Sequence, residues 1–207
     1  LLAAQEINLN PGKRVANNNS LRIIGGIWRS RRIHFIDSPE IRPTPDRVRE
    51  TVFNWLAAYI HGAKCLDLFA GSGALGFEAK SRGARKVVLV EKDPHIAATL
   101  NEQKNLLSAQ ENDQQIEISN QNALTYLHSA KQPFDIIFLD PPFASDLIEQ
   151  VVVVVIERQL LSENGLLYIE SASHQELPEE LKTLNCIREK ITGEVRYAVY
   201  KSPANEQ

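Results

Sequence analysis

Two short segments carry residue types suited to chemistry on a nitrogen atom. Asp140-Pro141-Pro142-Phe143 follows an apolar run at 135–139 that reads as a strand. Proline has no N–H, so the carboxylate and the Pro141 carbonyl are left free to accept hydrogen bonds from a planar –NH₂ group, and Phe143 offers a face on which a base can stack. The second segment, Gly71-Ser72-Gly73-Ala74-Leu75-Gly76, is a G-x-G-x-x-G between an expected strand and an expected helix. Its glycines allow a sharp turn and close approach of a ligand to the backbone. Glycines also end strands for steric reasons alone, and a strand turned by two prolines with Phe143 in a core is the plain structural alternative for the first segment.

Glu91 strengthens the cofactor reading, because it closes the next strand 20 positions after Gly71. A carboxylate there can accept from both hydroxyls of a ribose. Asp67, inside the strand before the glycines, opposes a pyrophosphate but suits the ammonium of a methionine moiety. S-adenosylmethionine is thereby favoured over NAD. Phe69, Ser72 and Lys92 flank these positions and join the cofactor-binding candidates. Asn122-Ala123, after the third strand, stands where an adenine edge could be read, although Asn is equally expected in a polar turn. His34, His61, His95, His128 and His174 have no metal-ligand spacing, and no metal is expected. The chain contains neither a G-x-S-x-G elbow nor a G-K-[ST] phosphate loop, so hydrolase and kinase readings lack support.

Strands alternating with helices must position these residues. Runs at 65–69, 86–90, 116–119, 135–139 and 165–170 read as strands, with helical stretches near 75–82, 94–108, 123–130 and 146–161 and a further strand near 194–201 after an irregular stretch. This alternation implies a parallel sheet covered on both faces, an α/β architecture with ligands at the carboxyl ends of its strands. Upstream, β-prone runs at 21–24 and 33–36 flank Gly25-Gly26 and the basic 29–32 stretch, as a hairpin would. Thr44-Pro45 reads as an N-cap with proline at the first helical position, followed by an apolar face of Val48, Val52, Trp55, Leu56 and Tyr59. Residues 1–20 read as a flexible polar arm, 21–60 as a basic appendage of hairpin and helix, and 61–207 as the catalytic domain.

The 207 residues are 43% hydrophobic and 24% charged, which excludes fibrous and wholly disordered chains. No apolar run approaches a membrane span and no signal peptide is visible, so a cytoplasmic monomer is expected. Cys65 and Cys186 are too few and too far apart for a disulfide framework. A net charge of −3 argues against a polyanionic partner until it is divided: residues 1–56 carry +4 and the remainder −7. A basic head on an acidic body suggests a nucleic-acid contact at the head. Arg22, Arg29, Arg31, Arg32, Arg42 and Arg47 are the candidates, with ordinary surface arginines as the alternative on charge alone.

With LDLFAGSGALGFEA at 66–79, VEKD at 90–93, DPPF at 140–143, and RIIGGIWRSRRI followed by RPTPDRVRETVFNWL in the head, the chain resembles the RsmD-type bacterial 16S rRNA guanine methyltransferases. The resemblance spans residues 21–200, and the head joined to DPPF is what narrows it. It implies a Rossmann-like class I methyltransferase fold, with a mostly parallel seven-stranded sheet ending in an antiparallel hairpin. It also implies methyl transfer from S-adenosylmethionine, leaving S-adenosylhomocysteine, to the exocyclic 2-amino group of one guanine in 16S rRNA, on an assembled or partly assembled 30S particle. By motif position, Asp67 and Gly71–Gly73 would cradle the methionine part, Glu91 the ribose and Asn122-Ala123 the adenine. Asp140 and Pro141 would hold the guanine amine, with Phe143 stacking on the base, and Pro142 completes the catalytic candidates. Residues 144–207 match in pattern more than in motif. An amino-methyltransferase acting on DNA or protein, and a non-catalytic assembly factor on the same scaffold, are the competing readings.

Overall fold

The computed structural model describes residues 19–36, 43–108, 115–142 and 146–204. Seven strands form one sheet in the order β5-β4-β3-β6-β7-β9-β8, where β3 is Lys64–Asp67, β4 Lys86–Glu91, β5 Ile116–Asn120, β6 Phe134–Leu139, β7 Leu161–Ala172, β8 Asn185–Thr192 and β9 Val195–Lys201. The strands from β5 to β7 run parallel, whereas β9 pairs antiparallel with both β7 and β8. This is the class I methyltransferase fold. The order reverses at β3, which lies between β4 and β6, so the carboxyl ends of these strands open the crevice where ligands bind in such sheets.

Alternation along the central strands builds two apolar layers. Val87, Leu89, Ile136 and Phe138 point into one, and Val88, Val90, Ile137 and Leu139 into the other. Because both faces are covered, these strands read as continuous hydrophobic runs. Helices α1 (Asp46–Trp55), α2 (Ala74–Ser81) and α3 (Pro94–Ser108) contribute to the first layer, and α4 (Ala123–Ser129) and α5 (Leu147–Glu157) to the second. Helix α3 starts at proline with the Asp93 carboxylate accepting from the His95 and Ile96 amides at 2.7 and 3.2 Å, a side-chain cap preceding Pro at the first helical position.

The N-terminal hairpin, β1 (Asn19–Arg22) with β2 (Arg32–Phe35), shares the first layer: Leu21, Ile23, Trp28, Ile33 and Phe35 are buried in it. Its connecting loop docks on α2. Glu78 accepts from the Ile24 and Gly25 amides, both at 2.8 Å, and Ser81 Oγ accepts from the Trp28 amide at 2.9 Å. Gly26 has φ +78°, and a Cβ there would lie 1.8 Å from the Ser81 carbonyl oxygen, so only glycine permits this approach.

Several boundaries differ from those read in the sequence. Asn19 and Ser20, assigned to the arm, pair with Phe35 and His34; the rest of the arm lies outside the described residues. Pro45, not Thr44, is the N-cap of α1, and the Thr44 hydroxyl is turned to another partner. Tyr59 lies beyond the end of α1 and is 39% exposed, so it is no part of an apolar helix face. Helix α5 stops at Glu157 and β7 starts at Leu161, four residues earlier than its continuous apolar run, with a register irregularity between Phe134 and Ile136 absorbing the polar stretch. Strand β8, read as irregular, is largely exposed and charged because it is the sheet's edge and needs no apolar face.

Candidate active site

One carboxylate stands at or near the carboxyl end of each of four adjacent strands: Glu91 on β4, Asp67 on β3, Asp140 just after β6 and Glu170 two residues before the end of β7. All four line a cavity of about 530 Å³, within the usual range for a small-molecule site. Phe69, Gly71, Ser72, Lys92, Asn122, Ala123, Pro141 and Pro142 line it too, so the structure gathers the described cofactor candidates, apart from Gly73, around one cavity.

Gly73 is the N-cap of α2. At φ +77° it is left-handed, and a Cβ would come within 2.4 Å of the Phe77 ring. The loop therefore needs glycine both for its turn and for its packing on the helix it opens. Two carboxylates hold the loop's shape. Asp67 Oδ2 accepts from the Gly76 amide at 3.0 Å, and Glu91 accepts from the Gly71 amide through Oε2 at 3.0 Å and from the Asp93 amide through Oε1 at 2.9 Å. Each Glu91 oxygen retains a further lone pair for a ligand hydroxyl. Asn122 accepts from the Leu124 amide at 2.9 Å, capping α4, and it also borders the cavity.

The electrostatics are those of a site for a cation. Burial, reinforced by the charge of Glu91, pushes the Asp67 carboxyl up to about 7 against the backbone amides that favour its ionised form. Asp140 is raised well above the usual carboxylate range by burial and by the charges of Glu170 and Asp67, with the Thr44 hydroxyl acting the other way. Glu170 accepts from the buried Tyr168 hydroxyl at 2.9 Å. Carboxylates crowded in this way gain from a positive ligand among them. Among the described residues no cluster of His, Cys, Asp or Glu has the geometry to hold a metal ion. An organic cation carrying ribose and adenine, as S-adenosylmethionine does, fits this donor and acceptor set.

Thr44, Arg49, Glu78 and Glu170 were not among the residues picked from sequence. Glu170 was visible in principle, since it stands near a strand's carboxyl end as Glu91 does. The wholly buried Arg49 gave no such signal, because one more arginine in a basic segment looks like surface.

The arginine candidates separate by environment. Arg29 and Arg47 are exposed, Arg22 lies 3.7 Å from Asp46 in an exposed pair, and Arg32 donates to Ser20 Oγ at 2.9 Å. Arg31 is engaged within the fold: its guanidinium donates to the carbonyls of Leu107 and Leu106 at 3.0 and 2.6 Å, closing the end of α3. Arg42 and Phe143 lie outside the described residues.

A family model described as conserved hypothetical protein 95 matches residues 21–201. The chain belongs to this family. Similar curated proteins share that extent. The Ribosomal RNA small subunit methyltransferase D of Haemophilus influenzae is 45% identical over 186 residues, covering 88% of this chain and 94% of that protein. The Escherichia coli protein of the same name is 41% identical over 189 residues, covering 91% and 93%. A solved structure, a putative methyltransferase yhhF from Escherichia coli, superposes with a TM-score of 0.77 at 40% identity, covering 90% of this chain and 100% of that one. The family match begins at Leu21 and includes the hairpin as well as the sheet, in keeping with their shared core. Among the described residues no helix is long and apolar enough to cross a membrane.

Proposed function

We propose that the chain transfers a methyl group from S-adenosylmethionine to the exocyclic 2-amino group of a guanine in small-subunit ribosomal RNA, presented on an assembled or partly assembled particle. The observation that carries this reading is Asp140 with Pro141 in the lining of a carboxylate-lined cavity, in a chain 45% identical to a protein named for small-subunit rRNA methylation.

Within this reading the glycine loop, Asp67, Glu91 and Asn122 hold the cofactor, which supplies a methyl group already activated on a sulfonium. Asp67 would hold its ammonium and Glu91 its ribose hydroxyls. Asp140 and the Pro141 carbonyl accept from the two N–H bonds of the guanine amine, and the aromatic type of Phe143 suits it to stack on the base. A guanine amine is a poor nucleophile because its lone pair is delocalised into the ring. Two acceptors on its hydrogens favour a pyramidal nitrogen and stabilise the positive charge that grows as the N–CH₃ bond forms and the S–CH₃ bond breaks. The proton then leaves the nitrogen, and Asp140, whose proton affinity is raised, stands at hydrogen-bond reach to take it. Most of the acceleration comes from alignment, which can supply up to about 7–11 kcal/mol.

The exposed arginines of the appendage hold the phosphates flanking the target, which positions the RNA without reading its sequence. Labelled methyl transfer to deproteinised rRNA, to small subunits and to duplex DNA tests the substrate. Transfer to small subunits above the other two is expected, and equal activity on naked rRNA removes the particle from the reading.

A further inference from the structure

Thr44 belongs to none of the cofactor or target motifs, yet its hydroxyl donates to Asp140 Oδ2 at 3.3 Å, and the residue is 5% exposed on the cavity wall. A threonine just before a helix would ordinarily turn its hydroxyl back onto that helix's free amides. Here Pro45 takes the capping position and the Thr44 hydroxyl is left for the carboxylate. Asp140 needs such a donor. A carboxylate's last torsion is soft, and the two residues that follow are prolines, which supply no amide to hold it. Asp67 from β3 and Glu170 and Tyr168 from β7 are the titratable groups acting on it, and the two carboxylates repel it when ionised.

Thr44 is itself fastened. Its carbonyl accepts from Arg49 Nε at 3.2 Å, and Arg49 donates on to the Arg22 carbonyl at 3.0 Å and to Asp46 Oδ1 at 2.5 Å. A continuous chain of contacts thus runs from the β1 end of the hairpin through a buried guanidinium to the target-binding carboxylate.

We propose that Thr44 is a positioning residue for methyl transfer, its hydroxyl fixing the rotation of the Asp140 carboxylate so that Oδ1 is presented to the target amine, with Arg49 holding Thr44 in place. This rests on the reading that Asp140 accepts the amine. The 3.3 Å separation is long for an O–H···O bond, and catalytic contacts of this kind shorten when substrate fills the site.

The test compares Thr44→Val, Thr44→Ala, Thr44→Ser and Asp140→Asn in the full chain, using S-adenosylmethionine and whichever rRNA substrate the parent protein methylates. Loss of the hydroxyl in Thr44→Val is expected to lower kcat by about tenfold or more. The KM for S-adenosylmethionine and the thermal midpoint should stay put, and the acid limb of the kcat profile should move to higher pH, because the bond that favours ionised Asp140 is gone. Thr44→Ser should recover both rate and profile, and Thr44→Ala gives the same reading should the valine variant fail to fold. Parental kcat and pH profile in Thr44→Val beside an inactive Asp140→Asn overturn the role of Thr44 and leave that of Asp140 standing. Full turnover in Asp140→Asn removes the reading beneath both. A rate loss that serine fails to repair also overturns the proposal.

Discussion

Arg49 and Glu78 face each other with both side chains wholly shielded from solvent, Nη1 lying 3.6 Å from Oε2. The separation compensates charge but is too long for a hydrogen bond, and Nη1 has no hydrogen-bond partner among the described residues. Glu78 also accepts from two hairpin amides and from Arg82 Nε at 2.6 Å. One carboxylate on α2 therefore ties the hairpin and α1 to the helix opened by the glycine loop. The proposed RNA-contacting part and the proposed cofactor-binding part are joined by buried charge as well as by a shared core.

Removing that charge leaves a buried guanidinium with the half-exposed Asp46 as its one anionic partner among the described residues. Glu78→Gln is expected to destabilise the fold by about 3–5 kcal/mol, the usual cost of breaking a buried pair from one side. Urea unfolding monitored by Trp28 and Trp55 fluorescence reads this directly, and a midpoint within error of the parent would show that the pair carries no stability.

The appendage arginines should divide by their surroundings. Arg31→Ala removes donors from two carbonyls at the end of α3 and is expected to cost about 1–2 kcal/mol. Arg29→Ala is exposed and should leave stability unchanged while weakening RNA binding and lowering its salt slope by about one. Fluorescence anisotropy with an rRNA fragment over a salt series distinguishes them. RNA affinity unmoved in an Arg29→Ala, Arg32→Ala double variant would count against the hairpin as the contact surface.

The raised Asp67 makes a pH prediction whose sign follows from linkage. A carboxyl ordinarily near 3.8 but held at about 7 in the folded chain favours the fold below pH 4, and that contribution, on the order of 4 kcal/mol, is lost as pH rises to about 7. A cationic ligand prefers the ionised form, so S-adenosylhomocysteine, with its ammonium, should bind more tightly at pH 8 than at pH 6 and release protons in the lower range. In Asp67→Asn the ligand-free protein should gain stability at pH 8 relative to the parent, and the pH dependence of binding should flatten. Calorimetry in buffers of different ionisation enthalpy counts the protons, and a parental pH profile in Asp67→Asn would assign the effect elsewhere.

Much of the central sheet and of the cofactor wall was legible in the sequence because local pattern determines them. Continuous apolar runs at 87–90 and 136–139, each short and set between turn residues, suit strands covered on both faces, and the acidic residue closing or following such a run falls at the ligand edge. Strand β8 was not legible: it is exposed along nearly its whole length, on both faces, and so has neither continuous nor alternating apolar character. Thr44 escaped for a different reason. Local rules send its hydroxyl to α1, and the partner that takes it instead, Asp140, is 96 residues away. Arg31 and Arg49 show the same limit, since charge counting assigns arginines to a surface, whereas tertiary packing decides which of them become internal ties.

The nitrogen expected to receive the methyl group is the 2-amino group of guanine. Small subunits methylated by the purified protein with isotope-labelled S-adenosylmethionine, digested to nucleosides and resolved by mass spectrometry, identify the acceptor atom. The label should appear in N2-methylguanosine and be absent when Asp140→Ala replaces the parent protein. Label in a ring-nitrogen, carbon or ribose methyl product, or in N2-methylguanosine made equally well by Asp140→Ala, would contradict it.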